Sequence, residues 1–146
     1  MAIVSYDHTA LPVGDGPGML AFYRALGCEV SEDYQREGVT LLASVYFGSN
    51  KINLHMPGFW DGPSFPKGKD GEPLRGPTAQ PGCGDLCFVW DGTVEEARAL
   101  IEAAGGPLTE GPVPRSGRQD GVAAMGQSLY TRDPDGNLVE LIVYGA

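Results

Sequence analysis

Two stretches of the chain have apolar residues at helical spacing, while most of the remainder alternates apolar and polar residues in short runs. The apolar positions of the first stretch are Met19, Leu20, Phe22, Tyr23 and Leu26. This spacing predicts an amphipathic helix. Asp15 is the expected N-cap with Pro17 in the first turn, and Gly27 is the expected stop.

The second helical stretch begins after the turn at residues 91–93. Its apolar positions are Val94, Ala97, Leu100, Ile101 and Ala104. Thr93 followed three residues later by Glu96 fits a capping box, and Gly105-Gly106 ends the helix. The pattern therefore predicts two helices, one in each half of the chain.

Extended segments surround both helices in the same order. In the first half they are residues 5–13, 28–33, 39–47 and 51–56, and in the second half residues 85–90, 108–113, 123–131 and 138–144. Turns at residues 48–50 and 133–136 join the last two segments of each half as hairpins. The order β-α-β-β-β is thus predicted twice.

The chain of 146 residues is long enough for one core and too short for two independent domains. We therefore expect a single α+β domain, with module 1 over about 3–57, a loop over 58–84 and module 2 over about 85–145. Each module is expected to form a curved four-stranded sheet with a flanking helix. The joining loop is rich in Gly and Pro and contains Phe59, Trp60 and Phe65, which suggests a flap or a dimer contact.

Acidic and imidazole side chains occur at unusual places in the predicted strands. Glu140 lies within the apolar run LVELIVY, where a carboxylate is unfavourable unless it is paired or metal-bound. Asp85 and Cys87 share one face of their strand, because side chains alternate between the two faces. The three cysteines, Cys28, Cys83 and Cys87, are expected to be reduced thiols.

The two histidines of the chain occupy the first and last strands of module 1. They are His8 and His55, and Asn53 shares the face of His55. Asp85 and Glu140 occupy the matching strands of module 2. If the two sheets close about a pseudo-twofold axis, these positions converge on one divalent metal ion. Imidazoles and carboxylates together suit Fe²⁺, Mn²⁺, Ni²⁺ or Zn²⁺.

The sequence also resembles the vicinal oxygen chelate superfamily, which includes glyoxalase I, extradiol dioxygenases and the fosfomycin- and bleomycin-resistance proteins. The resembling segments are DHTALPV, MLAFYRALGCEV, KINLHMPG, GDLCFVW, EEARALIEAAG, EGPVPRSG and SLYTRDPDGNLVELIVYG. They cover most of the chain outside the central loop. The small stand-alone members often described as dioxygenase-like are the most similar.

The resemblance implies a ligand set. The first-strand histidine of the family maps to His8, and its last-strand glutamate maps to Glu140. Asp85 stands where the family has a third ligand histidine, so it is expected to be a fourth ligand or the catalytic base. The remaining ligand lies near the end of module 1, where both Asn53 and His55 face inward. We expect His55 there, with Asn53 contacting the substrate.

The resemblance also implies a class of reaction. Members of the superfamily hold two neighbouring substrate oxygens on the metal, in isomerase, lyase or dioxygenase chemistry. Asp85 or Glu140 is the expected base, and Tyr130 is expected to donate a hydrogen bond. Ring cleavage of the usual kind is disfavoured if both histidines are ligands, because no imidazole then remains for proton transfer.

Three further residues are expected to contact the substrate. Arg115 and Arg118, in the segment PVPRSGR, suit a carboxylate or phosphonate group. Trp60 of the central loop supplies an aromatic surface. The side chains thus indicate a small-molecule substrate.

The net charge of −9 limits the partners. With 10 Lys and Arg against 19 Asp and Glu, nucleic acid is an unexpected partner. The alternative function is a metal-free protein of the bleomycin-resistance type that sequesters a cationic antibiotic in an acidic, aromatic-lined groove. The sequence features that favour this alternative are the net negative charge and the aromatic residues of the central loop.

The expected setting is the cytoplasm. No apolar run approaches the roughly 20 residues that cross a bilayer, and residues 1–7 do not resemble a signal peptide. A homodimer is expected, in which the modules pair within one chain or exchange between two chains.

Overall fold

The computed structural model describes residues 1–145, and eight strands and two helices follow one another there in the predicted order. Module 1 contains β1 (His8–Pro12), α1 (Gly16–Ala25), β2 (Glu29–Arg36), β3 (Val39–Phe47) and β4 (Asn50–His55). Module 2 contains β5 (Asp85–Val89), α2 (Val94–Ala103), β6 (Glu110–Gln119), β7 (Val122–Arg132) and β8 (Leu138–Val143). None of the helices over residues 1–145 is both long and apolar enough to cross a membrane.

The two modules have the same sheet topology. The strand orders are β1-β4-β3-β2 and β5-β8-β7-β6. In each sheet the first strand pairs in parallel with the last, and the remaining pairs are antiparallel. The prediction of an α+β fold built from two β-α-β-β-β units is therefore confirmed.

Both predicted helix N-termini are confirmed by their hydrogen bonds. The Asp15 carboxylate accepts a hydrogen bond from the Gly18 N–H at 3.0 Å. At the start of α2, the Thr93 hydroxyl accepts from the Glu96 N–H at 3.1 Å, and the Glu96 carboxylate accepts from the Thr93 N–H at 2.8 Å. These reciprocal bonds satisfy backbone donors that have no partner inside the helix.

Strands β2 and β6 are longer than the sequence pattern predicted. The predicted segments ended at residues 33 and 113, whereas β2 continues to Arg36 and β6 continues to Gln119. The cause is a tight two-residue turn after each strand, Glu37-Gly38 (φ 51° and 78°) and Asp120-Gly121 (φ 49° and 82°). Positive φ at both positions matches the right-handed twist of a hairpin. Arg115 and Arg118 therefore lie on a strand and not on a loop.

One hydrophobic core contains residues from both modules. It includes Val13, Val45 and Leu54 of module 1 together with Leu129 and Val139 of module 2, all with no exposed surface. In each sheet these residues lie on the face that packs against the helices. Side chains alternate between the two faces of a strand, so the opposite face of each sheet points away from this core. We call it the helix-distal face.

The β7–β8 turn of module 2 is hydrogen-bonded to module 1. The buried Asp133 carboxylate accepts from the Tyr23 hydroxyl and from the Asn137 side chain, both at 2.8 Å. The Asp135 carboxylate accepts from the Gly14 and Asp15 N–H groups, both at 2.8 Å. We call these contacts the inter-module clamp. Burial raises the pKa of Asp133, while its hydrogen bonds act in the opposite direction.

Replacing Tyr23 with Phe is expected to lower the free energy of unfolding by about 1.5–3 kcal/mol, because a buried carboxylate loses a donor. The lost bond stabilises the ionised form of Asp133. The destabilisation should therefore be largest above the pKa of Asp133 and should shrink as the pH falls through it. Urea denaturation at several pH values measures both effects.

Tyr34→Phe is the matched control, because Tyr34 lies on β2 with 45% of its surface exposed. It should change the free energy of unfolding by less than about 0.5 kcal/mol, which is typical of surface substitutions. Equal losses in the two variants would contradict a specific role for the Tyr23–Asp133 bond.

Candidate metal centre

The candidate residues of module 1 lie on its helix-distal face. His8 is on β1, and Asn53 and His55 are on β4, where they alternate with the buried Ile52 and Leu54. In the parallel β1–β4 pair, Ala10 lies opposite Asn53. His8 is two residues before this point, and His55 is two residues after it.

The His8 ring is oriented by its neighbour. Its Nδ1 lies 2.5 Å from the Asp7 Oδ1 atom, which leaves Nε2 free to bind a ligand. This hydrogen bond, together with the charge of His8, lowers the pKa of Asp7. A carboxylate behind a histidine is the usual outer partner of a metal-bound imidazole, because it fixes the ring and increases its basicity.

His55 is enclosed by aromatic residues of the central loop. Its ring packs edge-on against Phe59 and Phe65, with centroid distances of 5.2 and 5.7 Å. Burial lowers the pKa of His55, and the charge of His8 lowers it further. The imidazole is thus held in its neutral form at neutral pH, the form that binds metals and accepts protons.

The candidate residues of module 2 lie on the corresponding face. Asp85 and Cys87 are on β5, and Cys87 lies opposite Glu140 of β8. The Glu140 carboxylate accepts a hydrogen bond from the Ser128 hydroxyl at 2.5 Å. Ser128 has no exposed surface, so this partner is fixed behind the carboxylate.

Strand register makes two pairs of residues equivalent. His8 lies opposite Lys51, two residues before Asn53, and Asp85 lies opposite Leu138, two residues before Glu140. The pair His8 and Asn53 in module 1 therefore corresponds to the pair Asp85 and Glu140 in module 2. Each pair is offset by about 7 Å along the strands, at about 3.3 Å per residue.

His55 lies further from His8 than Asn53 does. Four residues separate His55 from the position opposite His8, which is about 13 Å along the strand. Its equivalent in module 2 is Ile142, which lies two residues beyond Glu140. The register therefore favours Asn53 as the partner of His8, and the expected role of His55 as a ligand stays a prediction.

A single chain does not bring the two pairs together. Among residues 1–145, no group of three or more His, Cys, Asp or Glu side chains is close enough to hold a metal ion. The charge that acts on His55 comes from His8, and the charges that act on Cys87 come from Glu140 and Asp85. Each module thus presents half of the expected ligand set on a face directed away from the shared core. We call His8 with Asn53 the half-site of module 1, and Asp85 with Glu140 the half-site of module 2.

The predicted substrate contacts lie in different places. Tyr130 lies opposite Glu140 on β7, and its hydroxyl accepts a hydrogen bond from Arg115 Nε at 3.1 Å. Arg118 is three residues beyond Arg115 on β6 and therefore lies on the opposite face of the sheet. The Trp60 indole donates to the Val13 carbonyl at 2.9 Å and contacts Arg75, so its polar edge is already used.

Cys87 was assigned no role from the sequence, although its alternation with Asp85 indicated a shared face. The structure places its thiol against Glu140. The residue as a whole is exposed, yet burial of the thiol group is the main cause that raises the pKa of Cys87 to about 12. The negative charge of Glu140, a hydrogen bond to it and the charge of Asp85 add to the shift.

A cavity of about 580 Å³ lies away from all of these residues. It opens between α1 and the β2–β3 hairpin, on the helix side of module 1, and is lined by Leu20, Arg24, Val39 and Met56 among others. Its volume alone would suit a small ligand. It contains none of the candidate ligands, and we therefore base the site on the helix-distal faces.

Comparison with known proteins identifies relatives over the whole chain. The family model described as Glyoxalase/Bleomycin resistance protein/Dioxygenase superfamily matches residues 5–141. The chain is 35% identical over 144 residues to the glyoxalase domain-containing protein RDO1 of Mycosarcoma maydis, covering 99% of this chain and 70% of that protein. It is 32% identical to the virulence protein STM3117 of Salmonella typhimurium, covering 99% and 87%.

Solved structures give the same result. A protein from the mobile metagenome of V. Pseudocholerae, VPC_CASS1, is 33% identical with a TM-score of 0.76, covering 100% of this chain and 98% of that one. Lactoylglutathione lyase from Agrobacterium tumefaciens is 26% identical with a TM-score of 0.61, covering 98% and 96%. TnmS3, an antibiotic binding protein from Streptomyces sp. CB03234, shares the fold at 20% identity and a TM-score of 0.64, covering 99% of both chains.

The environment of Cys87 predicts a slow thiol. With a pKa of about 12, about one Cys87 in ten thousand is a thiolate at pH 8. Iodoacetamide should therefore alkylate the exposed Cys83 much faster than Cys87, as followed by peptide mass spectrometry.

Glu140→Gln is the informative variant for this measurement. Removing the negative charge should lower the pKa of Cys87 and accelerate its alkylation, while the rate at Cys83 stays the same. An unchanged rate at Cys87 would show that Glu140 does not act on the thiol.

Proposed function

The chain belongs to the glyoxalase/bleomycin resistance protein/dioxygenase superfamily, and we propose that it binds one divalent metal ion and acts on a small substrate that chelates the metal through neighbouring oxygens. The supporting observation is the equivalence in register of His8 and Asn53 with Asp85 and Glu140. Two copies of one fold thus present polar residues at matching positions on their helix-distal faces.

The side chains fit a divalent ion in their chemistry. His8 supplies an imidazole, Asp85 and Glu140 supply carboxylates, and Asn53 supplies an amide oxygen. Such a mixed nitrogen and oxygen set suits Fe²⁺, Mn²⁺, Ni²⁺ or Zn²⁺. Asp7 and Ser128 hydrogen-bond to His8 and Glu140, as outer partners of metal ligands commonly do. His55 is the alternative to Asn53 at the remaining position.

The proposed site is completed by two chains. The shared core directs both helix-distal faces outward, which supports pairing of the half-site of module 1 with the half-site of module 2 from another copy. A twofold homodimer of this kind contains two equivalent sites, because each chain contributes one half to each. Large exposed apolar residues occur on the helix-distal face of module 2, including Val89 and Val122, and an interface between copies would cover them.

The proposed chemistry divides between the ion and the chain. A divalent ion in this family's site serves as Lewis acid and as template for two substrate oxygens. Asp85 is the proposed base when it is not a ligand, and the Tyr130 hydroxyl is the proposed donor to a substrate oxygen. If Asn53 completes the set, the neutral His55 imidazole is also free for proton transfer. These groups support isomerase, lyase or dioxygenase chemistry.

A metal-free binding protein is the second candidate. Its supporting observations are the net charge of −9 and the exposed Asp85 carboxylate on the helix-distal face. A cationic antibiotic would complement such a surface. This candidate requires no ion between the modules, so the metal content of the protein distinguishes the two.

Elemental mass spectrometry of the purified protein is expected to find close to one Fe, Mn, Ni or Zn ion per chain. His8→Ala, Asp85→Asn and Glu140→Gln should each lower the metal affinity by about tenfold or more. Loss of a residue that only hydrogen-bonds to a ligand already lowers metal affinity by about that factor, and these variants remove the ligands themselves. Asn53→Ala and His55→Ala form a matched pair, and the one that loses metal identifies the remaining ligand. A protein that retains none of these metals after incubation with each would contradict the proposed metal site and favour the metal-free binding of a cationic ligand.

Mixing two inactive variants tests whether the site lies between chains. His8→Ala disables module 1 and Glu140→Gln disables module 2. A heterodimer of the two contains one doubly altered site and one intact site, so it should regain half of the wild-type metal content. Homodimers of either variant serve as controls. No recovery in heterodimers isolated with two different affinity tags would contradict a shared site.

A further inference from the structure

Arg115 lies beside the half-site of module 2 and forms no ion pair with an acidic residue among residues 1–145. It occupies the helix-distal face of β6, opposite Gly126 of β7, where the buried Ile142 side chain fills the space that a side chain at residue 126 would need. Its Nε donates to the Tyr130 hydroxyl at 3.1 Å, and its guanidinium carbon lies 5.6 Å from the centre of the Tyr130 ring. The guanidinium is thus held in place by an aromatic residue that is the direct cross-strand neighbour of Glu140.

Most of the hydrogen-bonding capacity of Arg115 is unused. A guanidinium has five N–H donors. One donates to Tyr130, and another donates to the Pro114 carbonyl at 2.9 Å. The ion pairs formed within residues 1–145 involve other residues. The nearby Glu110 carboxylate accepts instead from the Gly111 N–H at 2.9 Å.

Arg115 forms none of the ion pairs found within residues 1–145, so its guanidinium stays open to a ligand. The Tyr130 hydroxyl accepts from Arg115, so its own hydrogen remains available to another acceptor. Guanidinium and phenol donors thus converge beside Glu140. An oxyanion is the ligand that complements such a pair of donors.

The geometry points to a carboxylate subsite, and we propose that Arg115 and Tyr130 bind a carboxylate on the metal-chelating substrate. This inference rests on the proposed function, which it narrows to small acids with two neighbouring oxygens. A carboxylate fits better than a phosphonate because one arginine compensates one negative charge. Glu140 and Asp85 on the same face would repel a second charge.

Two probes that differ in charge test the subsite. Protocatechuate carries neighbouring hydroxyls and a carboxylate, and its methyl ester keeps the hydroxyls with a neutral group at the same place. Calorimetry with the metal-loaded protein should show tighter binding of the acid by about tenfold or more, because a hydrogen-bonded charge is lost in the ester. Arg115→Gln should abolish this preference, because binding of the acid should weaken by about tenfold, to the affinity of the ester.

Arg118→Gln is the matched control, because Arg118 lies on the same strand with its side chain on the other face. It should preserve the preference for the acid, and Arg115→Lys should restore part of it. Equal binding of acid and ester by the wild type, or equal losses in Arg115→Gln and Arg118→Gln, would overturn the subsite alone. Binding of neither probe to metal-loaded protein would overturn the proposed function and the subsite with it.

Discussion

The contact between the β7–β8 turn and module 1 determines how the two halves are arranged. Asp133 is buried, and its carboxylate accepts from the Asp135 N–H and from the N–H and side chain of Asn137 within its own turn. A buried carboxylate that loses one of its donors destabilises a fold by about 1–3 kcal/mol. Only the docked arrangement gives it the Tyr23 hydroxyl, while Asp135 holds the backbone at the start of α1. The segment DPDGN therefore has a physical role besides forming a turn. It fixes the helix sides of the two sheets around one core and turns both helix-distal faces outward.

That arrangement explains why candidate ligands occur in separate pairs. Duplication of the β-α-β-β-β unit places equivalent positions at equal offsets, so His8 with Asn53 mirrors Asp85 with Glu140. Because the helix sides are used up in the shared core, a chain cannot fold its own two pairs together. The proposed completion of the site by a second copy agrees with this constraint. In the proposed dimer the polar residues would lie at an interface, where the surrounding apolar surface would exclude water and strengthen their interactions.

The sequence was sufficient for the fold, because the signals for the fold are local. Helical spacing, the Thr93–Glu96 capping box and the turn residues each act over a few positions, and all agree with the structure. The ends of β2 and β6 were wrong because the turns at Glu37-Gly38 and Asp120-Gly121 were not recognised, although Asp-Gly is a strong hairpin signal. The site was harder, because choosing between Asn53 and His55 requires the register of β4 against β1. Register depends on pairing between strands far apart in sequence, and a single strand does not encode it.

The two modules have diverged in charge while keeping their geometry. By strand register, His8 corresponds to Asp85 and Asn53 to Glu140, so module 1 offers an imidazole and an amide where module 2 offers two carboxylates. Ser44 corresponds likewise to Tyr130, because Ser44 lies opposite Asn53 and Tyr130 lies opposite Glu140. A metal ion held between such halves would have its charge balanced mainly by module 2. Arg115, the proposed contact for a substrate carboxylate, also lies in module 2, so one sheet would supply both the charge that orients the substrate and the charge that holds the ion. Module 1 would contribute the His8 imidazole as a ligand, while aromatic residues of the central loop enclose His55.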